Sequence, residues 1–346
     1  MPCKASKMET INVELGGRKI PAIGLSGMTP GEWDVYRKSS LRIGGSDIGT
    51  ILGLSRYSDA ITLFCEKTGF LESSFAPSEA TEGGHFDEAA ILKRLEYWDG
   101  MQWAGNVRAG KTFRMIEKPE VTFLPESHPY LALNVDGIIS YDHEHPEETG
   151  VAEAKKIAGY VMASYQGGCP PSYIAQVSAY LTGLKLPFAR IALLEDGVRL
   201  HVRTLEADMD EIKYMQEKIE TVCPRFYQAV LDGKQVLAAA PKEQASSMLL
   251  EVIAEYSDIL KVGSLSKDAL DALAQEKRGT VLKGAEYDAI LSTYAEAESN
   301  NKKAADREAK AKNEIIELLI KNNAAAVEGT RYRAGYNKRF TFKTLQ

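Results

Sequence analysis

The residues of this sequence best able to do chemistry together are Asp136, in Leu131-Ala132-Leu133-Asn134-Val135-Asp136-Gly137, and Glu153 with Lys155, in Val151-Ala152-Glu153-Ala154-Lys155. Alternate side chains of a strand share a face, so Glu153 and Lys155 point the same way. The alternation of Leu131, Leu133 and Val135 places Asp136 on the opposite face of its own strand. If the two strands are neighbours, two carboxylates and one ammonium converge. Such a spot suits a hard, oxygen-preferring cation such as Mg²⁺, which keeps several waters and takes phosphate oxygens. The lysine can orient a water or balance charge on a phosphate while the metal acts as Lewis acid. Taken alone, Glu-x-Lys on a strand is an ordinary solvated face, and Asp-Gly is an ordinary turn.

Two helices add to the constellation. Glu88, in Gly84-His85-Phe86-Asp87-Glu88, comes early in an amphipathic segment over Thr81–Tyr97. Gln176 and Tyr180 lie four apart on one face of a helix expected over Tyr173–Leu184. Singly these read as a surface acid, a polar amide and a packed tyrosine. With the strand pair they supply a third carboxylate and polar supports.

The ordered set Trp33, Arg37, Gly44-Gly45-Ser46-Asp47, Gly84…Glu88, Asp136-Gly137, Glu153-Ala154-Lys155 and Tyr173-Ile174-Ala175-Gln176-Val177…Tyr180 resembles the YqaJ-type viral recombinase nucleases. That group is similar to phage lambda exonuclease and belongs to the wider PD-(D/E)xK nuclease fold. The resemblance covers Trp33 to Leu205. It implies an α/β (α+β) core, a mixed central sheet flanked by helices. It makes Asp136, Glu153 and Glu88 the ligands of a catalytic Mg²⁺ (Mn²⁺ as substitute), with Lys155 assisting the attacking water. Gln176 and Tyr180 match the helix motif that supports the site. Arg37 and Ser46 match positions that hold a 5′-phosphate, and Arg42 is a second candidate because the Arg-to-Ser spacing is longer here. Val135 replaces the family's nominal Pro. The implied activity is 5′→3′ exonuclease digestion of duplex DNA ends for recombination, by metal-activated water attack. A ring-like homo-oligomer and a single-strand annealing partner are implied with it. An endonuclease of the same fold and a non-catalytic DNA-binding or assembly protein are the alternatives, the latter opposed by the intact Asp136, Glu153 and Lys155.

Other chemistries find little support. No G-x-x-x-x-G-K-[ST] occurs, so there is no P-loop. Ser46 lacks the strand–elbow–helix context of a serine hydrolase. The His143–Glu148 stretch reads as an exposed loop rather than a second metal site. The four cysteines form no C-x-x-C pair, which suits a reduced, cytoplasmic protein of a phage or its bacterial host, with no membrane span.

These residues need elements to hold them. The 346 residues divide into an N-terminal arm with a hairpin through Gly16-Gly17 (1–29), a nuclease domain (30–235) and a mostly helical extension (240–346). The extension ends in a short β segment with Arg331, Arg333, Lys338, Arg339 and Lys343 among Tyr332, Tyr336, Phe340 and Phe342, with no acid after Glu328. Interleaved cations and aromatics are candidates for single-strand binding; an edge hairpin kept soluble by its charges is the competing reading. With 42 Lys+Arg against 48 Asp+Glu the net charge is −6, which at first disfavours a nucleic-acid partner.

Overall fold

A computed structural model describes residues 10–28, 32, 36, 40–72, 86–98, 115–140, 148–166, 168–241, 244–263, 265–274, 280–299, 305–329, 332–336 and 340–344. The chain forms two compact units, Met1–Gly49 with Ser74–Pro224, and Thr50–Ser73 with Arg225–Gln346. The sequence predicts a helix from Thr29 onward, of which Glu32 and Tyr36 are described and helical, and a strand over 103–113; that strand and loop residues 143–147 lie outside the described residues.

In the first unit the arm is a hairpin of β1 (Thr10–Leu15) and β2 (Arg18–Gly24). Its two-residue turn is Gly16-Gly17, both at positive φ (58° and 71°), the twist that two-residue hairpins require. β2 also pairs β5 (Val121–Phe123), and β3 (Ile43–Gly44) runs parallel to β6 (Leu131–Ala132).

The principal sheet has the order β10-β9-β8-β7-β4, with β4 Met115–Glu117, β7 Gly137–Ser140, β8 Gly150–Ile157, β9 Phe188–Glu195 and β10 Arg199–Glu206. It is mixed: β8 and β9 are parallel and the other pairs antiparallel. Parallel neighbours need a crossover, and the chain supplies one in the helix Pro171–Leu184, which contacts β8 and β9. On the opposite face a helix over 86–98 lays Ile91, Leu92 and Leu95 onto Ile139, Ala152, Ala154, Ala192 and Leu194. Burial of each such aliphatic side chain contributes about 1.5–3 kcal/mol. The alanines keep this face low, so the helix lies close. The architecture is the expected mixed α/β sheet flanked by helices.

Named in chain order, the helices are α1 (Gly45–Ile51), α2 (Ala60–Thr68), α3 (86–98), α4 (Gly159–Ser164), α5 (Pro171–Leu184) and α6 (Asp210–Ala239). Gly44-Gly45 does not break the chain before α1: Gly45 begins the helix, and the Asp47 carboxylate accepts the Gly44 N–H at 2.9 Å. The sequence predicts a helix over Asp208–Leu231; α6 runs on to Ala239, since Gly233 lies against Phe64 and Thr68, where a Cβ would approach to 2.8 Å. Helix packing at that glycine outweighs its poor helix propensity.

The second unit holds α2, α7 (Ala245–Glu255), α8 (Lys267–Leu273), α9 (Asp288–Ser299) and α10 (Ala305–Lys321). A four-stranded sheet follows, β11 (Thr280–Lys283), β12 (Ala324–Glu328), β13 (Tyr332–Tyr336) and β14 (Phe340–Thr344). Leu291 and Tyr294 of α9, and Ile315 and Leu319 of α10, pack on one side of it. Among the described residues no helix is long and apolar enough to cross a membrane. Cys65, Cys169 and Cys223 are buried free thiols, each pushed up to about 12 chiefly by burial, and so serve as small hydrophobes.

α2 shows how this unit is tied. Asp59 caps it, accepting from the Thr62 N–H at 3.1 Å and the Thr62 hydroxyl at 2.8 Å, while Gly69 closes it in the left-handed conformation. The other Asp59 oxygen accepts from the buried Ser266 hydroxyl. Asp59→Ala removes the cap and strands Ser266, so it should lower the unfolding free energy by about 2–4 kcal/mol in urea denaturation. A loss below about 0.5 kcal/mol would show that neither contact matters.

Candidate metal centre

The site is built on the pairing of β7 with β8. Gly137 stands opposite Ala152, so the chain delivers Asp136 beside Glu153. Asp136 does not lie on a continuous strand as the alternation implied: β6 ends at Ala132, and residues 134–136 turn before β7 begins. The turn lets the carboxylate fold back onto β8, where one Asp136 oxygen accepts the Ala154 N–H at 2.9 Å. That hydrogen bond anchors Asp136 to the strand that carries the other two groups.

Glu153 is completely buried. Its Oε1 accepts from the Gln176 side-chain amide at 2.7 Å and is ion-paired with Lys155. The same amide also donates to the Tyr180 hydroxyl at 2.7 Å. The four-residue spacing on α5 therefore does what it implied: one helical face presents an amide and a phenol to the strand. Lys155 remains 26% exposed and stands 5.7 Å from the centre of the Tyr173 ring, at cation–π distance.

Burial sets the electrostatics. It pushes the Glu153 carboxyl up to about 8, against the pull of Lys155 and of the hydrogen bonds from Lys155 and Tyr180. Asp136 is raised for the same reason, with Glu88 adding to the rise and Lys155 opposing it. Lys155 is held well above the usual range by the two carboxylates, which outweigh its own burial. The Tyr180 phenol is raised by burial and by the acids beside it. Among the described residues, Glu153 Oε2 is buried with no hydrogen-bond partner. A buried carboxylate oxygen left unpaired is costly, and a hard cation is the partner whose chemistry suits two carboxylates converging from adjacent strands.

Glu88 stands close enough to Asp136 to help raise its carboxyl. It lies on α3 and is ion-paired with Lys118, while its neighbour Asp87 accepts from Lys156 at 2.6 Å. Among the described residues no three acidic, His or Cys side chains converge closely enough to hold a metal, so Asp136 and Glu153 are the pair that meets. Lys118, Lys156 and Tyr173 are further residues of this cluster; Lys156 follows Lys155 directly and Tyr173 lies one helical turn before Gln176, while no sequence signal points to Lys118. Arg37 lies outside the described residues. Ser46 is exposed in the first turn of α1, and Arg42 is part-buried just before β3. α1 rests on α5 through two glycines. A Cβ on Gly45 would stand 2.5 Å from the Tyr180 ring, and one on Gly49 would stand 2.8 Å from Ser172. Ser46 is therefore next to the residue that touches Tyr180.

Residues 32–183, which contain this whole constellation, match the YqaJ-like viral recombinase domain. A relative from Bacillus subtilis (strain 168), the uncharacterized protein YqaJ, is 30% identical over 233 residues, 66% of this chain and 65% of the relative. The match thus spans just under two thirds of that relative's length. Among solved structures, an alkaline exonuclease (LHK-Exo) from Laribacter hongkongensis is 14% identical with a TM-score of 0.44, covering 60% of this chain and 96% of that one. LHK-Exo in complex with dAMP gives 13% identity, a TM-score of 0.44, and 60% and 98% coverage.

Within residues 32–183, the Gly45–Tyr180 contact admits no added carbon without movement. Gly45→Ala should cost about 1–3 kcal/mol of stability, as overpacking does. In a Tyr180→Leu background the same change should cost less, giving a measurable coupling in a urea double-mutant cycle. Strict additivity would show that α1 and Tyr180 are not held against each other.

Proposed function

We propose that this chain is a divalent-metal-dependent deoxyribonuclease of the PD-(D/E)xK kind, acting as a 5′→3′ exonuclease on duplex DNA ends during recombination. The observation that carries the reading is the unpaired, buried Oε2 of Glu153 beside Asp136 and Lys155, inside a YqaJ-like domain. Mg²⁺ is the expected ion. Asp136 and Glu153 would hold it, and when bound it supplies Lewis acidity at the scissile phosphate.

The protein's own groups do the rest. Gln176 fixes Oε1 of Glu153, so Oε2 is left for the cation. The Lys155 ammonium, partly exposed and kept charged by its two carboxylate neighbours, orients the attacking water and offsets negative charge growing on the phosphoryl oxygens. Hydrolysis joins the water oxygen to phosphorus and breaks the bond to the 3′-oxygen of the adjoining nucleotide, releasing 5′-nucleotides. Ser46 and Arg42, with Arg37, are the groups assigned to a 5′-phosphate, on the segment that leads into and starts α1. Glu88 is the auxiliary acid of α3. Ring-like self-association and an annealing partner belong to the same reading.

Linear and covalently closed circular DNA, each incubated with Mg²⁺ or EDTA, test the proposal. Loss of linear DNA alone, with Mg²⁺ only, is expected; nicked circles would make it an endonuclease, and no cleavage would leave a binding protein. Lys155→Ala should abolish cleavage yet retain DNA binding, and retained turnover would refute its role. Metal binding has its own readout. Mg²⁺ at a hundred times its Kd should stabilise the wild type by about 2.7 kcal/mol. EDTA should therefore lower its Tm, and Glu153→Gln should erase that response. An equal Mg²⁺ shift in both proteins would place the ion elsewhere.

A further inference from the structure

The Glu88–Lys118 ion pair stands beside the acids of the candidate metal centre, and strand register explains how Lys118 arrives there. Glu117, the last residue of β4, is opposite Ile138 of β7. The next residue, Lys118, therefore comes abreast of Gly137 and beside Asp136. The charges of both partners reach Asp136: Glu88 pushes its carboxyl up and Lys118 pulls it down.

The two lysines of the centre are held differently. Lys155 is 26% exposed, and its partner Glu153 is completely buried and fixed by Gln176. Lys118 is 58% exposed, past the end of its strand, and its partner Glu88 is 15% exposed. An ion pair open to solvent is weak, and the lysine stem is flexible, so Lys118 can swing away at little cost while Lys155 stays. Charge balance gives a reason for it to do so. With Asp136, Glu153 and Glu88 ionised, as a bound cation requires, Lys155 and Lys118 leave the group one negative charge short of neutral. A divalent ion at the unpaired Glu153 Oε2 would overshoot by one positive charge with Lys118 in place, and would balance the group with Lys118 gone.

We propose that Lys118 is a built-in competitor of the metal ion: paired with Glu88 it supplies counter-charge to the acids, and a divalent cation displaces it into solvent. The proposal rests on the metal-dependent reading above and names the residue that sets how much ion the site needs. The competing reading is a structural ion pair that merely pins the start of α3. Lys156 is the control for that, because it holds the same turn of α3 through Asp87 at 2.6 Å. Neighbours on a strand face opposite ways, so Lys156 points away from the side of β8 that carries Glu153 and Lys155.

Two measurements on the full chain without DNA test the proposal. The first is calorimetric titration with Mn²⁺. An ion of two charges facing a lysine at about 6 Å loses roughly tenfold in affinity even at the permittivity of water. Lys118→Met and Lys118→Gln should each tighten Mn²⁺ binding by about that factor or more, Lys118→Arg should bind no tighter than the wild type, and Lys156→Gln should change affinity less than about threefold. The second is acetylation of wild-type protein by an acetate N-hydroxysuccinimide ester, read by mass spectrometry. Release from an exposed ion pair should speed labelling of Lys118 by about two- to fivefold when Mg²⁺ is added. Lys156 should label at its old rate, and EDTA should reverse the change at Lys118. Mn²⁺ affinity that stays at the wild-type value in folded Lys118→Met and Lys118→Gln, with folding checked by thermal melts, overturns the proposal. So does an equal tightening in Lys156→Gln, which would be net charge alone, or labelling of Lys118 indifferent to Mg²⁺. Those results, with Mn²⁺ bound by the wild type, remove the role of Lys118 and leave the metal centre standing. Absence of Mn²⁺ binding in the wild type and both Lys118 variants instead removes the metal-dependent reading itself.

Discussion

Glu153 carries a carboxylate into the buried interior, and the organisation of the first unit follows from that. An unpaired buried charge costs several kcal/mol, so each neighbouring element must return part of the loss. β8 supplies Lys155 two residues on and α5 supplies an amide, whereas Asp136, a second carboxylate, adds to the cost. The compensation is incomplete. One oxygen has no partner, and burial still raises the carboxyl to about 8. A chain selected for stability alone would place an apolar residue at the centre of its sheet. Retaining a half-satisfied acid there makes sense only if something else completes it.

The requirement propagates outward through close contacts. Gln176 reaches Glu153 because α5 lies tight against the sheet. Where Gly183 meets Leu133 a Cβ would stand 2.6 Å away, and Tyr180 is covered in turn by Gly45. On the other face, Gly137 lies against Ala152 and Leu92, where a Cβ would come within 3.3 Å of both. Glycine and alanine are thus concentrated where backbones must approach so that polar side chains of fixed length can meet. The motif Gly44-Gly45-Ser46-Asp47 combines this steric need with a helix start, since Asp47 pins the backbone of the first turn.

Much of this was legible because it is local. The Gly16-Gly17 turn, the Asp59 cap with Gly69, the shared face of Glu153 and Lys155, and the Gln176–Tyr180 turn each depend on residues a few positions apart, and local sterics decide them. What escaped reading depends on partners distant in sequence. Nothing near Glu88 announces Lys118, thirty residues on. Apolar alternation through Leu131, Leu133 and Val135 suggested one unbroken strand, yet Leu133 bridges to Phe123 and the chain turns at Asp136 to reach Ala154. The reach of α6 past Leu231 was hidden because Gly233 looks like a stop until Phe64 is known to sit against it.

Charge shows why an average misleads. The chain totals −6, but from Pro241 onward Lys+Arg number 17 against 16 Asp+Glu, so the acidity belongs to the preceding 240 residues. Within those residues some of the acid is the site itself, Asp136 and Glu153, whose charge a bound cation would cancel. In the last strands a period of two sends Phe340 and Phe342 toward Tyr294 and Arg333 to the other side. Composition could name the ingredients but not assign them to faces, because Tyr332 and Arg333 are adjacent in sequence and opposite in space. A polyanion responds to potential within about 10 Å at ordinary salt. Over that range it is the local charges, not the total of −6, that an anionic partner meets.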